Sequence, residues 1–213
     1  MDAPFWHQRW AEGDIGFHEG KANPLLVAHF DKLNLHGGSR IFLPLCGKTR
    51  DIAWLLDQGY RVAGAELSQI AINDLFSELG LQPVITPVGS MTHYHSPNLD
   101  IFVGDIFDLS RDVLGAVDAV YDRAALVALP AATRTRYAPH LISLTQAAPQ
   151  LVITYDYDQQ LMAGPPFSVT EAEIRQLAGA TYSVQSAACQ PVEGGLKGKV
   201  VAMETTWVLQ GIS

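Results

Sequence analysis

Residues 40–66 constrain the fold more strongly than any other part of this sequence. An apolar run ends near Leu45 and leads into a tight turn that contains Gly47. An amphipathic segment follows, and a second apolar run ends at the acidic Glu66. A strand, a glycine turn, a helix and a strand, with a carboxylate about twenty residues after the turn, are typical of a nucleoside-cofactor site in a parallel α/β sheet. The pattern therefore predicts both the sheet and a cofactor of that kind.

The rest of the chain continues this alternation of strands and helices. Further strands are predicted at 99–103, 117–121 and 151–155, and a terminal antiparallel hairpin at 182–188 and 200–209. We therefore expect an α/β fold, a Rossmann-like sandwich with helices on both faces of the sheet. Its sheet should contain seven strands, mostly parallel, with an antiparallel C-terminal strand.

We expect one domain over residues 1–213, because no linker or internal repeat interrupts the pattern. Within it, residues 1–36 should form an N-terminal lid and helix, and residues 37–213 the catalytic core. The lid is predicted because residues 5–20 are rich in Trp and Phe but lack the periodicity of a core helix. Lids of this kind exclude water in transfer reactions.

The composition narrows the possible partners. A net charge of −8 and an isoelectric point near 5.2 disfavour nucleic acid and anionic lipid as ligands. The sequence has no basic leader and no uncharged apolar run of membrane-spanning length, so we expect a cytoplasmic protein without a membrane segment. The two cysteines give no disulfide framework. We expect a monomer that acts on small molecules.

A possible metal pattern stands at His93 and His95, two residues apart. They lie within residues 82–98, which contain three prolines and are predicted to be irregular and exposed apart from a short strand at 84–86. No carboxylate or third histidine stands at a helpful spacing in the sequence. We therefore predict no metal site.

The residues after the first strand discriminate between possible cofactors. An ATP-binding P-loop needs a glycine where this chain has Phe42, and a dinucleotide fingerprint needs three glycines where the turn supplies only Gly47. A cofactor with an adenosine but no phosphate needs one glycine and a carboxylate for the ribose. Glu66 fits that carboxylate, and Asp105 with Ile106, at the end of the third strand, fits recognition of adenine. The pattern favours S-adenosylmethionine, with S-adenosylhomocysteine as the product.

Several motifs also match a known family. The chain resembles the thiopurine S-methyltransferase family over essentially its whole length, in the motifs FWHQRW, IGFH, LPLCGKTRDIAWL, GAELS, YDRAALVALP and AGPPF. The resemblance implies a class I methyltransferase fold. It also implies that Trp10, Leu45, Glu66 and Arg123 bind S-adenosylmethionine, with the segment at Asp105 and Ile106 around the adenine. It further implies that the acceptor pocket is walled by Phe17 and by the turn from Gly164 to Phe167, which includes Pro166.

The chain departs from the family near its C-terminus. Relatives that act on thiopurines carry a basic, aromatic-containing stretch there, with a second arginine at the acceptor site. This chain has GGLKGKV instead, where Lys197 or Lys199 takes the place of that arginine. A lysine is not equivalent to a planar arginine fork, so the departure bears on the acceptor more than on the cofactor.

Together these features predict a methyltransferase that acts on the sulfur of thiopurines or other aromatic or heterocyclic thiols. Arg123 is the candidate catalytic residue, and it either favours the thiolate form of the acceptor or holds the carboxylate of the cofactor. Two alternatives stay open. In the first, the acceptor is a selenium or tellurium species, a halide or bisulfide. In the second, the protein binds the cofactor without catalysis.

Overall fold

The apolar runs of the sequence form strands, and the amphipathic segments between them form helices. This computed structural model describes residues 3–15 and 19–212. The helices are α1 (Ala3–Glu12), α2 (Pro24–His29), α3 (Arg50–Asp57), α4 (Gln69–Leu79), α5 (Arg111–Leu114), α6 (Ala131–Thr145) and α7 (Glu171–Ala178). The strands are β1 (Arg40–Pro44), β2 (Arg61–Glu66), β3 (Val84–Val88), β4 (Met91–Ser96), β5 (Leu99–Val103), β6 (Ala119–Arg123), β7 (Gln150–Asp156), β8 (Tyr182–Pro191) and β9 (Met203–Gly211). Short 3₁₀ turns lie at Phe30–Leu33, Ile106–Asp108 and Leu126–Ala128.

One mixed sheet organises the described part of the chain. Its nine strands lie in the order β3-β4-β5-β2-β1-β6-β7-β9-β8. The central strands β5, β2, β1, β6 and β7 are parallel, whereas β4 and β9 pair antiparallel with both of their neighbours. The predicted class, a mostly parallel sheet with an antiparallel C-terminal part, is confirmed.

The predicted number of strands, seven, is too low, because residues 82–98 form the hairpin β3–β4 and are not irregular. Val88 pairs with Met91 across a turn that contains Gly89. Pro87 is tolerated within β3 because β3 is an edge strand, and an edge strand has no neighbour on its outer side that would need a hydrogen bond from the missing N–H group. Pro87 therefore lies in the edge strand of the sheet and not in a loop.

Both faces of the central strands are buried. Along β1, Phe42 packs into one apolar cluster with residues of α6 and α7, while Ile41 and Leu43 pack into a second cluster with residues of α2, α3 and α4. Central parallel strands that are apolar on both faces are typical of sheets covered by helices on both sides. The predicted helices on both faces are therefore present.

The helix termini follow local rules that the sequence already displayed. Asn23 caps α2, with Pro24 as its first residue; Ser68 caps α4 by accepting a hydrogen bond from Ala71 N at 3.3 Å; and Gly80 ends α4 with a left-handed conformation. Helix α3 follows β1 along the chain, and helix α4 follows β2, so the N-termini of both helices lie at the carboxyl edge of the sheet.

Within the described residues, we find no helix that combines the length and the apolar character needed to cross a membrane.

Candidate active site

The turn after β1 has a strained backbone. Leu45 has φ 47° and Gly47 has φ 52°, and Cys46 N donates a hydrogen bond to Ala65 O at 3.0 Å. A positive φ is unusual for a bulky residue such as Leu45 and costs about 1–3 kcal/mol. A Cβ atom at Gly47 would lie 3.1 Å from the ring of Trp10, which α1 brings onto the turn. The turn thus needs its glycine both for conformation and for space.

Glu66, the last residue of β2, ties this turn to the next one. Its Oε2 accepts a hydrogen bond from Gly47 N, and its Oε1 accepts one from Ser68 N, both at 2.8 Å. Only 7% of the residue is exposed. Burial raises the pKa of Glu66, although backbone hydrogen bonds from Ser68, Gly47 and Leu67 oppose the rise. The carboxylate is therefore held rigidly at the edge of the sheet.

Arg123, the last residue of β6, lies next to this pair of turns. Its side chain is 11% exposed, and its guanidinium group forms an ion pair with Glu19. Burial alone lowers the pKa of Arg123, but Glu19, Tyr121 and Tyr155 raise it, and the net direction is upward. The following residue, Ala124, has φ 68°. Strained residues thus follow both β1 and β6.

Strands β1 and β6 are neighbours at the point where the strand order reverses, since β2 and β5 lie on one side and β7 on the other. In open α/β sheets, ligands bind at the carboxyl edge at this switch point. A cavity of about 470 Å³ lies there. Five predicted site residues line it, namely Trp10, Leu45, Glu66, Arg123 and Pro166. The structure brings these five together at one cavity, and their roles stay predictions.

Two residues predicted to contact adenine, Asp105 and Ile106, do not line this cavity, whose lining is known for the described residues. The Asp105 side chain accepts a hydrogen bond from Phe107 N at 3.1 Å and so caps a short 3₁₀ turn. Ile106 is 1% exposed in the core, and its carbonyl faces His140 Nε2 at 2.8 Å. Their predicted contact with the adenine stays a prediction.

The predicted acceptor residues are placed unevenly. Pro166 lines the cavity, whereas Phe167, among the described residues, does not. Phe167 N donates a hydrogen bond to Val127 O at 2.6 Å, and its ring packs where a Cβ atom on Gly164 would lie. Phe17 lies outside the described residues. The roles of Phe17 and Phe167 stay predictions.

Basic side chains other than Arg123 also line the cavity. Lys197 and Arg9 both line it, while Lys199 is absent from its described lining. Lys197 Nζ donates a hydrogen bond to Pro165 O at 2.7 Å, and Arg9 forms an ion pair with Asp14 at 3.1 Å. Burial lowers the pKa of Lys197, and the charge of Arg9 lowers it further. Of the two predicted lysines, Lys197 is the one at the site.

Arg9 and Glu19 were both missed by the sequence analysis. Arg9 precedes Trp10 within the FWHQRW motif, so a signal for it was present in the sequence. Glu19 has no such signal, because it stands outside every motif that resembles the family.

This strand order, with a cavity at the switch point and a buried carboxylate at the end of the second strand, defines the class I methyltransferase architecture. The architecture agrees with a solved structure, the 1,6-didemethyltoxoflavin-N1-methyltransferase of Burkholderia thailandensis, determined with bound 1,6-didemethyltoxoflavin and S-adenosylhomocysteine. The two proteins are 15% identical and superpose with a TM-score of 0.66 over 98% of this chain and 87% of that one.

Sequence comparison gives the family within this class. A family model described as Thiopurine S-methyltransferase (TPMT) matches residues 1–208. The chain is 59% identical over 211 residues to the thiopurine S-methyltransferase of Xanthobacter autotrophicus, with 99% of each chain covered. It is 48% identical over 206 residues to that of Gluconobacter oxydans, with 97% of this chain and 94% of that protein covered. The chain belongs to the thiopurine S-methyltransferase family.

Family membership confirms two predictions. The protein is a methyltransferase, and S-adenosylmethionine is the cofactor of its family.

Proposed function

We propose that this protein transfers the methyl group of S-adenosylmethionine to the sulfur of thiopurines or other aromatic or heterocyclic thiols. The observation that carries the proposal is one cavity whose lining includes Leu45 and Glu66 together with Arg123, Pro166 and Lys197. We assign Leu45 and Glu66 to the donor end of this cavity, and Arg123, Pro166 and Lys197 to the acceptor end. A cavity of about 470 Å³ falls within the usual range for small-molecule sites.

At the donor end, Glu66 accepts hydrogen bonds from the two ribose hydroxyl groups of the cofactor. Its oxygens already accept hydrogen bonds from Gly47 and Ser68, but a carboxylate offers about four lone-pair positions and can accept further donors. Leu45 and Trp10 border the methionine end. The strain at Leu45 supports this role, because backbone strain of this kind concentrates at functional sites.

At the acceptor end, positive charge favours the thiolate over the thiol. Lys197 lines the cavity with Arg9, which is paired with Asp14, and with Arg123, which is paired with Glu19. A thiolate that replaces a carboxylate beside one of these cations has its pKa lowered by the opposite charge. The thiolate sulfur attacks the methyl carbon in line; the new sulfur–carbon bond forms as the sulfonium carbon–sulfur bond breaks, which leaves S-adenosylhomocysteine. Positioning the two reactants can contribute about 7–11 kcal/mol to such a step.

The N-terminal segment acts as a lid over this reaction. Helix α1 places Trp10 against the Gly47 turn and contributes Trp6 and Arg9 to the cavity. Because opposite charges meet and disappear in the transition state, exclusion of water by aromatic side chains favours the transfer. Pro165 and Pro166, from the 164–167 turn, add to the wall around the acceptor. Phe17, which lies outside the described residues, stays a predicted part of that wall.

The acceptor is tested by methyl transfer from labelled S-adenosylmethionine to a panel of thiopurines, simple aromatic thiols, bisulfide, halides, and selenium and tellurium oxyanions. We expect the heterocyclic and aromatic thiols to turn over fastest. Faster methylation of the inorganic acceptors than of every aromatic thiol would contradict the proposal. Tight cofactor binding without transfer to any acceptor would favour a binding protein.

The two possible roles of Arg123 are separated by Arg123→Met. If Arg123 favours the acceptor thiolate, the variant should bind S-adenosylhomocysteine within about threefold of the wild-type affinity, and its pH–rate profile should move to higher pH. If Arg123 holds the cofactor carboxylate, binding of S-adenosylhomocysteine itself should weaken. Calorimetry gives the affinity, and Arg136→Met, a substitution of an arginine outside the cavity lining, is the matched control.

A further inference from the structure

A second cluster of chemically active side chains lies away from the cavity. His93 and His95 on β4 and Asp100 on β5 share one face of the sheet, and their ligand atoms all lie within 4.8 Å of one another. His93 Nε2 lies 2.9 Å and His95 Nδ1 2.8 Å from the same carboxylate oxygen, Asp100 Oδ1. None of the three lines the cavity in the described residues. The carboxylate that the sequence spacing lacked is supplied by the neighbouring strand.

The cluster is held on a rigid frame. His95 and Asp100 are direct cross-strand partners in the antiparallel β4–β5 pair, and His93 is paired with Phe102. The His93 ring stacks on the Phe102 ring at 4.7 Å between centroids and 13° between planes, which fixes the direction of its nitrogen atoms. Two residues of one strand and one of the next are therefore aimed at a common point.

Arg40 fixes the carboxylate from the other side. Its Nη2 lies 3.0 Å from Asp100 Oδ2, and its Nη1 donates to the carbonyl oxygens of Leu114 and Ala116. Oδ2 is thus taken, and Oδ1 is the oxygen directed at the two imidazoles. Partners that orient a ligand in this way are common around protein-bound metals. The positive charge of Arg40 opposes a cation, so the site calls for strong imidazole ligands.

We propose that His93, His95 and Asp100 bind a divalent transition metal such as Zn²⁺ through two imidazole nitrogens and one carboxylate oxygen. Two imidazoles and a carboxylate form a ligand set that suits Zn²⁺, Co²⁺, Ni²⁺ or Cu²⁺, not Mg²⁺ or Ca²⁺. Ligand atoms of a tetrahedral zinc lie about 3.3 Å apart, since the zinc–nitrogen bond is about 2.0 Å. The present distances of 2.8 and 2.9 Å need to open by only about 0.5 Å to reach that value.

The site has an open side and a structural role. The His95 side chain is 54% exposed and the His93 side chain 26%, so a metal can enter from solvent and water can complete its coordination. Asp100 lies near the start of β5, and the cavity lies beyond the ends of the parallel strands. A metal there joins the edge hairpin β3–β4 to the central sheet. The proposal is independent of methyl transfer.

The experiment is metal binding to chelator-treated full-length protein. We expect calorimetry with Zn²⁺ to show one site per chain, and Co²⁺ to give the visible absorption of a four-coordinate complex. His93→Ala and His95→Ala should each weaken Zn²⁺ binding by more than about tenfold. His36→Ala, which removes an exposed histidine outside the cluster, should bind as the wild type does.

Thermal unfolding gives the second readout. Zn²⁺ should raise the melting temperature of the wild-type protein and of His36→Ala, because a ligand that binds the folded state stabilises it, but not that of His95→Ala. His95 is exposed enough for its variant to fold, and unchanged binding of S-adenosylhomocysteine checks that it has. Wild-type protein that binds Zn²⁺ and Co²⁺ no more tightly than the His93→Ala/His95→Ala double variant would overturn the proposal.

Discussion

Glu66→Gln tests the donor end of the site, because it removes the charge of Glu66 and keeps its shape. In the wild type each carboxylate oxygen accepts a backbone N–H bond at 2.8 Å, from Gly47 and from Ser68. A glutamine has one acceptor oxygen, and its NH₂ group must face one of these N–H donors. The variant therefore loses one backbone hydrogen bond, and it offers the ribose one neutral amide oxygen in place of a charged carboxylate.

The magnitudes follow from these contacts. A hydrogen bond to a charged group contributes about 1.5–3 kcal/mol, so the affinity for S-adenosylhomocysteine should fall about 10- to 150-fold. An unpaired buried N–H group costs about 1–3 kcal/mol of stability, which removal of the buried charge partly offsets. Calorimetry at pH 7.5 measures the affinity, and thermal unfolding of the cofactor-free protein measures the stability.

The pH dependence gives this test a second signature. Burial raises the pKa of Glu66 above its ordinary value of 4.5, so the contribution of Glu66 to the stability of the cofactor-free protein is complete below pH 4.5 and is lost as the pH rises through the raised pKa. Cofactor affinity should change in the opposite direction, since under the proposed function the ribose hydroxyl groups donate hydrogen bonds to the Glu66 carboxylate. Both dependences should flatten in Glu66→Gln.

The control is Glu171→Gln, which changes an exposed glutamate on α7 away from the cavity and should leave affinity unchanged. If folded Glu66→Gln binds S-adenosylhomocysteine within threefold of the wild-type affinity, Glu66 serves only to join the two turns, and our assignment of the ribose site is wrong.

Two further predictions concern stability. In Gly64→Ala, the new Cβ atom would lie 2.7 Å from Ile101 Cδ1 and 2.8 Å from Cys46 Sγ, so we expect a loss of about 1–3 kcal/mol in denaturant unfolding, and no loss would contradict the close packing of β2. Asp122 is buried beside Tyr137, and burial raises its pKa from 3.8 to about 6. The contribution of Asp122 to stability is complete below pH 3.8 and is lost as the pH rises through about 6. Across that range the free energy of unfolding of the wild-type protein should fall by about 3 kcal/mol more than that of Asp122→Asn. Parallel curves of unfolding free energy against pH for the two proteins would refute this.

Local rules explain why much of the fold was predictable. Asn23 before Pro24, and Ser68 and Gly80 around α4, act through hydrogen bonds within a few residues, so the sequence alone identifies those helix ends. Glu66 was predictable for a related reason, since the end of a parallel strand lies at the binding edge whatever surrounds it.

Long-range pairing explains what the sequence did not predict. The hairpin in residues 82–98 was missed because Pro87 is compatible with a strand only at a sheet edge, and edge position depends on the whole sheet. Asp100 follows His95 by five residues, but they meet through the register of β4 and β5. Asp105 was placed correctly at a strand end, and yet its side chain turns back to cap its own segment. Strand ends are predictable, whereas the direction of each side chain there is not.

Charge at the acceptor end links the lid to the chemistry. Arg9 is neutralised within the lid by Asp14, whereas Arg123 is paired with Glu19, a residue of the same segment whose side chain is 43% exposed. Under the proposed function, a thiolate that binds at Arg123 takes the place of Glu19. Transfer then joins a thiolate and a sulfonium into two neutral thioethers, so the negative charge at Arg123 disappears. Renewed pairing of Glu19 with Arg123 then competes with the neutral methylated product and favours its release.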